Sequence, residues 1–343
     1  MKHLFTFVFS CLLTTLSAQN TWIVSNVPGF DADFTDLQTA INSATAGDIL
    51  LIQGSAASYG NVTITKPLVL SGPGYFLAQN PQTQAQLSEA TLGTLLIDNG
   101  GSGCIVEGLS ILQGIALDSV NNVIIQSCRV ESQYPYYTYY GLTANYSQST
   151  VVRNCYFSNT YYAAILCNSP SSCIISNNII SNTGGGGIAG SNCIIENNVF
   201  APTTFNNSYP YPVNVNASTV QNNIFSVGYA IVATNSSVVN NLFAGGFNGG
   251  IIINGNQEYV DMSTVFIGWA NNGYSGDGRW QLLLGSPAIG AGVGGIDCGA
   301  WGGSSPYRLS GMSFNPNIWQ VVMPTTGTSG GGMSVTVKAN ANQ

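Results

Sequence analysis

From about residue 103 to 245, short apolar segments recur, each followed by a polar pair and then by a second apolar stretch. Aligned on a central apolar residue, the copies read Cys104-Ile-Val-Glu-Gly-Leu-Ser-Ile111, Val123-Ile-Ile-Gln-Ser-Cys-Arg-Val130, Thr150-Val-Val-Arg-Asn-Cys-Tyr-Phe157, Cys173-Ile-Ile-Ser-Asn-Asn-Ile-Ile180, Cys193-Ile-Ile-Glu-Asn-Asn-Val-Phe200, Ser218-Thr-Val-Gln-Asn-Asn-Ile-Phe225 and Ser236-Ser-Val-Val-Asn-Asn-Leu-Phe243. Their centres, Val106, Ile125, Val152, Ile175, Ile195, Val220 and Val238, are spaced 18 to 27 residues apart, which suits a coil with loops of unequal length. Apolar and polar positions alternate before and after each pair, the period of a strand. Asparagine tolerates a left-handed backbone, so the pair predicts a corner between two strands. Stacked at about 4.8 Å per rung, Asn178, Asn198, Asn223 and Asn241 should form an internal amide ladder. Cys128 and Cys155 fall in the same column, and Phe157, Phe200, Phe225 and Phe243 share another.

A third strand precedes each copy: Gly114-Ile-Ala-Leu117, Gly141-Leu-Thr-Ala144, Ala164-Ile-Leu-Cys167, Gly187-Ile-Ala-Gly190, Pro212-Val-Asn-Val215 and Ala230-Ile-Val-Ala233. Ahead of the repeats stand Thr35-Asp-Leu-Gln-Thr-Ala-Ile-Asn-Ser-Ala-Thr-Ala-Gly-Asp48, Ile49-Leu-Leu-Ile-Gln-Gly54 and Asn61-Val-Thr-Ile-Thr-Lys-Pro-Leu-Val-Leu-Ser-Gly72. Phe34, Leu37, Ala40, Ile41 and Ala44 lie on one helical face, with Asp33 or Thr35 able to cap its start and Gly47 its end. Such a helix plugs the open apolar bore and hides a sheet edge.

With three strands per turn and this opening, nearly all of the sequence resembles the pectin-lyase-like superfamily. The resemblance implies an all-β, right-handed single-stranded parallel β-helix with an N-terminal capping helix over 33–46 and a C-terminal β-hairpin tail. Residues 19–304 would form the β-helix, with repeats over about 103–256. Ser286-Pro-Ala-Ile-Gly-Ala-Gly292 and Asp297-Cys-Gly-Ala-Trp-Gly-Gly303 resemble the closing coil of secreted bacterial relatives. Residues 305–343 would form a hairpin packed on the β-helix, pairing Ile318 to Met323 with Met333 to Ala339.

Residues 1–18 carry Lys2, an apolar run from Leu4 to Leu13 and Leu16-Ser17-Ala18, the layout of a cleavable secretory signal. Cys11 sits inside that apolar run, as a signal-core residue rather than a lipid-attachment site. The mature chain would start at Gln19 and act outside the cell or on its surface, with no later run long enough to span a membrane. Only 6% of residues are charged, against roughly 25% in ordinary domains, yet 45% are apolar, so a core is available. Beyond the signal, six Lys and Arg face fourteen Asp and Glu, a net charge of −8 that makes nucleic acid and anionic membranes poor partners. The single histidine, His3, lies in the signal, which excludes a histidine triad or histidine metal site from the mature chain.

The resemblance places acids, bases and cation ligands on the outward face of the third strand. Here that column reads Ala116, Thr143, Leu166, Ala189, Asn214 and Val232, from which neither a two-acid glycosidase site nor a lyase base can be assembled. Glu107, Arg153 and Glu196 share an outward column two rungs apart, too far for direct pairing. The reading is a non-catalytic protein for glycan binding, adhesion or scaffolding. Its alternative is a polysaccharide lyase or glycoside hydrolase with an atypical site near Arg129, Glu131 and Arg153. No cofactor is expected.

Loops leading into the third strand hold Tyr134, Tyr136, Tyr137, Tyr139 and Tyr140, then Tyr161 and Tyr162, then Phe205, Tyr209 and Tyr211, and Tyr229. At one corner of successive rungs these rings would gather into a patch suited to sugar faces, or would simply shield the coil edge. Ile105, Ile124, Val151, Ile174 and Ile194 form an outward apolar column that the C-terminal hairpin is expected to cover, with a partner protein or self-association as the rival. The seven mature cysteines lack a CxxC pair, so zinc is disfavoured. Cys173 with Cys193, Cys128 with Cys155, or Cys167 with Cys173 could form disulfides, or the sulfurs could pack as free thiols. Asp261, Asp277 and Asp297 lie in Gly-rich segments without calcium-loop spacing and read as turn carboxylates.

Overall fold

The computed structural model describes residues 19–343 except 133–139, 169, 182, 185, 202–210, 227–230, 247–253, 270–272, 313–316, 325, 328–331 and 341–343. The chain winds into a right-handed parallel β-helix with three long faces. A ten-stranded first sheet runs from Thr21–Val24 to Ser237–Val239, and each following corner leads into an eight-stranded second sheet ending at Leu242–Phe243. An eight-stranded third sheet, Val62–Ile64 to Val232–Thr234, completes each turn. The seven aligned copies supply seven consecutive strands of the first sheet, in the expected register: Val106 pairs with Ile125, Ile125 with Val152, and so on to Val220 with Val238.

The two residues of each Asn pair do different work. The first takes the left-handed backbone that makes the corner, with φ of 55° at Asn177, 54° at Asn197, 57° at Asn222 and 52° at Asn240. The second points inward. Asn178 Nδ2 donates to Asn198 Oδ1, Asn198 Nδ2 to Asn223 Oδ1 and Asn223 Nδ2 to Asn241 Oδ1, each at 3.0 Å. The ladder continues one step beyond the repeats, to Asn256. Each of these amides also donates to a backbone carbonyl, such as Val152 O from Asn178 and Ile175 O from Asn198, so the buried polar column is satisfied. In the earlier rungs Cys155 and Cys128 stand in that column, their thiols reaching the equivalent carbonyls of Ile125 and Val106 at 3.6 and 3.7 Å and those of Arg153 and Gln126 in their own rungs at 3.2 and 3.3 Å. Beside the ladder, the rings of Phe200, Phe225 and Phe243 stack with centroids 4.5 and 4.8 Å apart.

The capping helix is shorter than expected, Leu37–Ser43, and its N-cap is Asp36, which accepts from Thr39 N and Thr39 Oγ1 at 2.7 Å. Asp33 accepts instead from Ile23 N, fixing the first strand, and Ala44 rather than Gly47 is the C-cap. Leu37, Ala40, Ile41 and Ala44 are buried in the core as the helical pattern requires. Just beyond, the enclosed Asp48 carboxylate accepts from Asn20 N, Trp22 Nε1 and Thr45 N.

The Gly-rich segment after the repeats is not a further coil. It runs back as a strap along the outer face of the second sheet, antiparallel to the progress of the rungs. The outward corner asparagines hold it in turn: Asn240 Nδ2 donates to Ala291 O, Asn197 Nδ2 to Asp297 O, Asn177 Nδ2 to Ala300 O and Gly302 O, and Asn154 Nδ2 to Ser305 O and Pro306 O. Beneath it, Tyr156, Ile179, Val199, Ile224 and Leu242 are buried with Phe266, Trp280, Cys298, Ala300 and Tyr307 in a second core. Gly299 (φ +84°) sits so close that an added Cβ would stand 2.6 Å from Ile224 Cδ1. At the far end the hydroxyls of Tyr307 and Tyr75 meet, and buried Asp277 accepts from Ser275, Asn80 and Ser310 N.

The tail forms the expected antiparallel hairpin, Asn317–Val322 with Thr336–Asn340. It does not cover the outward Ile column. Ile174 and Ile194 remain 38% and 41% exposed, whereas the hairpin meets the 81–87 segment, where Ala85 N donates to Ile318 O at 2.8 Å. The strap is the reason: it delivers the chain to Tyr75, beside that segment and away from the first sheet.

Candidate functional site

The outer column of the third sheet comprises Thr63, Leu96, Ala116, Thr143, Leu166, Ala189, Asn214 and Val232, paired rung to rung. All eight are at least partly exposed, in the alternation the sequence predicts, and none titrates. Chemistry on this face therefore depends on what its borders contribute.

One border is aromatic. Tyr140, Tyr161 with Tyr162, and Tyr211 each stand one or two residues before a third-sheet strand, so they occupy the same corner of their rungs. Tyr140 and Tyr162 rings lie 5.6 Å apart, and Tyr162 meets Tyr161 edge to face at 4.9 Å. Tyr161 and Tyr211 are 41% and 38% exposed. Between them passes the rung that opens with Gly184, Gly186 and Gly187, positions without side chains. A Cβ on Gly187 would meet Pro212 O and, inside the coil, the Phe200 ring, so this glycine is required by the inner packing. The result is a shallow groove with Gly186, Gly187, Ala163 and Ala189 as its floor and Tyr211 and Asn214 at its side. Tyr161 and Tyr211 stand two rungs apart, about 10 Å. Tyr134, Tyr136, Tyr137, Tyr139, Phe205, Tyr209 and Tyr229 lie outside the described residues.

The charged trio does not converge. Arg129 Nε lies 3.5 Å from Glu131 Oε1, but its Nη1 is 3.3 Å from Glu89, a residue the repeat pattern did not flag because it lies in the irregular segment before the second sheet. Glu89 also accepts from Phe76 N and Ser110 Oγ, and Arg129 stacks over Phe76 at 5.3 Å. Arg153 belongs to the first sheet, where it donates to Gln126 Oε1, while Gln126 Nε2 donates to Glu107. Glu107 and Arg153 thus interact through Gln126 rather than directly. These partly enclosed groups read as a seam of mutual pairs, in which Arg129 Nε has the Glu131 ion pair but, among the described residues, no hydrogen bond.

All seven cysteines from Cys104 to Cys298 are buried. Burial pushes Cys104 and Cys128 above the ordinary thiol range and Cys298 up to about 12, which removes thiolate character from each. Asp261 accepts from Ser263, and Asp297 from Gly290 N, as turn carboxylates do. Among the described residues, the one metal-ligand grouping of three or more is Cys167, Cys173 and Cys193. No helix among them is long and apolar enough to cross a membrane.

Several solved structures align with the chain at low identity. Pectate lyase Pel9A aligns over 85% of this chain and 98% of its own, at 11% identity and TM-score 0.43. The cedar pollen allergen jun a 1 aligns over 77% and 89%, at 10% and 0.39. A pectin methylesterase in complex with a hexasaccharide aligns over 66% and 71%, at 12% and 0.20. No curated protein matches the sequence. Residues 41–265 match the profile of the right-handed β-helix region, the same stretch that supplies the ladder, the aromatic stack and the third sheet; the chain belongs to the right-handed β-helix family.

Proposed function

We propose that the mature chain is an exported, non-catalytic β-helix that binds a glycan along the tyrosine border of its third sheet. The observation that carries this reading is exposed Tyr211 beside Asn214 at the shallow groove of Gly186, Gly187 and Ala189, with exposed Tyr161 at the same corner two rungs earlier. A sugar's apolar face needs a flat aromatic surface and its hydroxyls need nearby polar rims, which the tyrosine hydroxyls and Asn214 supply. A floor of glycine and alanine lets a ring approach the backbone closely. Binding of the mature chain to a glycan array tests the reading, with Tyr161→Ala and Tyr211→Ala compared with the parent. We expect each change to weaken binding about tenfold, the size of losing one stacked ring, with the melting temperature unchanged. No signal from the parent, or full signal from both variants, would rule the reading out.

The lyase or hydrolase alternative draws on one observation, the Arg129, Glu89 and Glu131 grouping. Release of unsaturated or reducing ends from acidic polysaccharides, abolished in Glu131→Gln, would establish it. An inert parent protein would remove it.

A further inference from the structure

Where the third sheet turns into the first, three cysteines from two adjacent rungs meet inside the coil. Cys167 ends the strand Ala163–Cys167, Cys173 begins Cys173–Ser176 and Cys193 begins Cys193–Glu196. All are buried, with sulfurs within 4.8 Å of one another. Cys173 and Cys193 are register partners on neighbouring parallel strands. The partner of Cys167 on the next rung is Gly190, where even a Cβ would stand 2.9 Å from Cys167 Cβ, so no side chain intrudes between the sulfurs from that side.

The Cys167 and Cys173 sulfurs approach to 2.6 Å, and that distance separates two uses of the cluster. Two thiolates on one zinc ion, each bonded at about 2.3 Å, stand about 3.8 Å apart, so this pair is too close to share an ion. A bonded pair sits at about 2.05 Å, nearer to what is seen. Charge agrees. A three-thiolate complex would bury net charge in an apolar coil, whereas a disulfide plus a thiol is neutral.

We propose that Cys167, Cys173 and Cys193 form a buried thiol–disulfide exchange site, in which Cys167 and Cys173 are bridged and the bridge can pass to Cys173 and Cys193. Formation uses an external low-molecular-weight disulfide, RSSR. Cys173 thiolate attacks it and releases RS⁻, then Cys167 thiolate displaces the second RS⁻, giving the bridge and two RSH once the two protons are taken up. Transfer needs no oxidant: Cys193 thiolate attacks Cys173 Sγ, the Cys167–Cys173 bond breaks, and Cys167 leaves with the electron pair and takes the proton Cys193 lost. The two positions hold different things. One ties the turn within a single rung, and the other staples two rungs together.

Differential alkylation of the full mature chain tests this: free thiols are blocked under denaturation after incubation with oxidised glutathione, then bridged ones are reduced and labelled separately. In the parent and in Cys193→Ser we expect Cys167 and Cys173 to carry the second label. In Cys167→Ser the second label should move to Cys173 and Cys193. Should that variant not fold, the parent equilibrated with a trace of reduced glutathione should show a minor population with Cys167 free and Cys193 bridged. Three free thiols in the parent, zinc bound to them in one equivalent, or free Cys173 and Cys193 in folded Cys167→Ser would each overturn the proposal.

Discussion

Asn197 and Asn198 are adjacent in sequence and face opposite ways: Asn197 Nδ2 donates outward to Asp297 O at 2.9 Å, while Asn198 Nδ2 donates inward to Asn223 Oδ1 at 3.0 Å. The corner that separates the two sheets therefore separates two hydrogen-bond systems, one inside the coil and one fastening the strap.

Asn198→Ala should cost about 3 kcal/mol, because it strands the buried Asn178 N–H and amide that Asn198 Oδ1 accepts. Asn197→Gly keeps the left-handed backbone and loses only the outer bonds, for about 1 kcal/mol. Asn197→Ala adds a left-handed alanine and should be worse than glycine by about 1 kcal/mol. Urea unfolding of the three variants checks the order; an alanine at 198 as mild as the glycine at 197 would contradict it.

Phe225→Ala removes the middle ring of the stack between Phe200 and Phe243 and should cost about 3–5 kcal/mol. Phe225→Leu refills most of the volume and should cost less. Equal denaturation midpoints for the two would show that the column collapses around the gap.

Ending the chain after Met312 deletes only the hairpin, and the melting temperature should barely change. Ending it after Ser304 also removes Tyr307 and Ser310, which engage Tyr75 and Asp277, and should lower it by several degrees. Gly299→Ala, strained by φ and pressed against Ile224, should cost about 2 kcal/mol with the chain full length.

Burial raises the Asp48 pKa, but hydrogen bonds from Trp22, Asn20 and Thr45 outweigh it and pull the carboxyl down to about 2 from an ordinary 3.8. A lowered folded-state value contributes stability that is present above about pH 4 and is lost as pH falls through about 2. Melting curves from pH 5 to 2 should therefore drop less steeply for Asp48→Asn than for the parent. Parallel curves would assign the acid sensitivity elsewhere.

The coil register, the inner amide ladder, the phenylalanine column and the apolar face of the capping helix were legible because each depends on local periodicity. The cap itself was misplaced: the reading offered Asp33 or Thr35 where Asp36 caps, and spacing alone did not show that Asp33 was needed by Ile23. The strap was missed although a signal existed. Ile179-Ile180, Val199-Phe200, Ile224-Phe225 and Leu242-Phe243 are apolar at both alternating positions, the mark of a sheet buried on both faces. Nothing comparable marked Glu89, whose pairing with Arg129 depends on the path of an irregular segment. The tyrosine border was readable as a corner, whereas its glycine floor emerged only once the rungs were stacked.

A linear stack of rungs, each touching only its neighbours, can fray from either end one unit at a time. Here Tyr307 meets Tyr75 across 232 residues, after the strap has passed Asn240 on the way. A segment made after all the rungs thus ties the last of them to the opening ones and closes an array into a circuit. The whole coil should melt cooperatively, and during synthesis it stays unlocked until the strap as far as Tyr307 has been made.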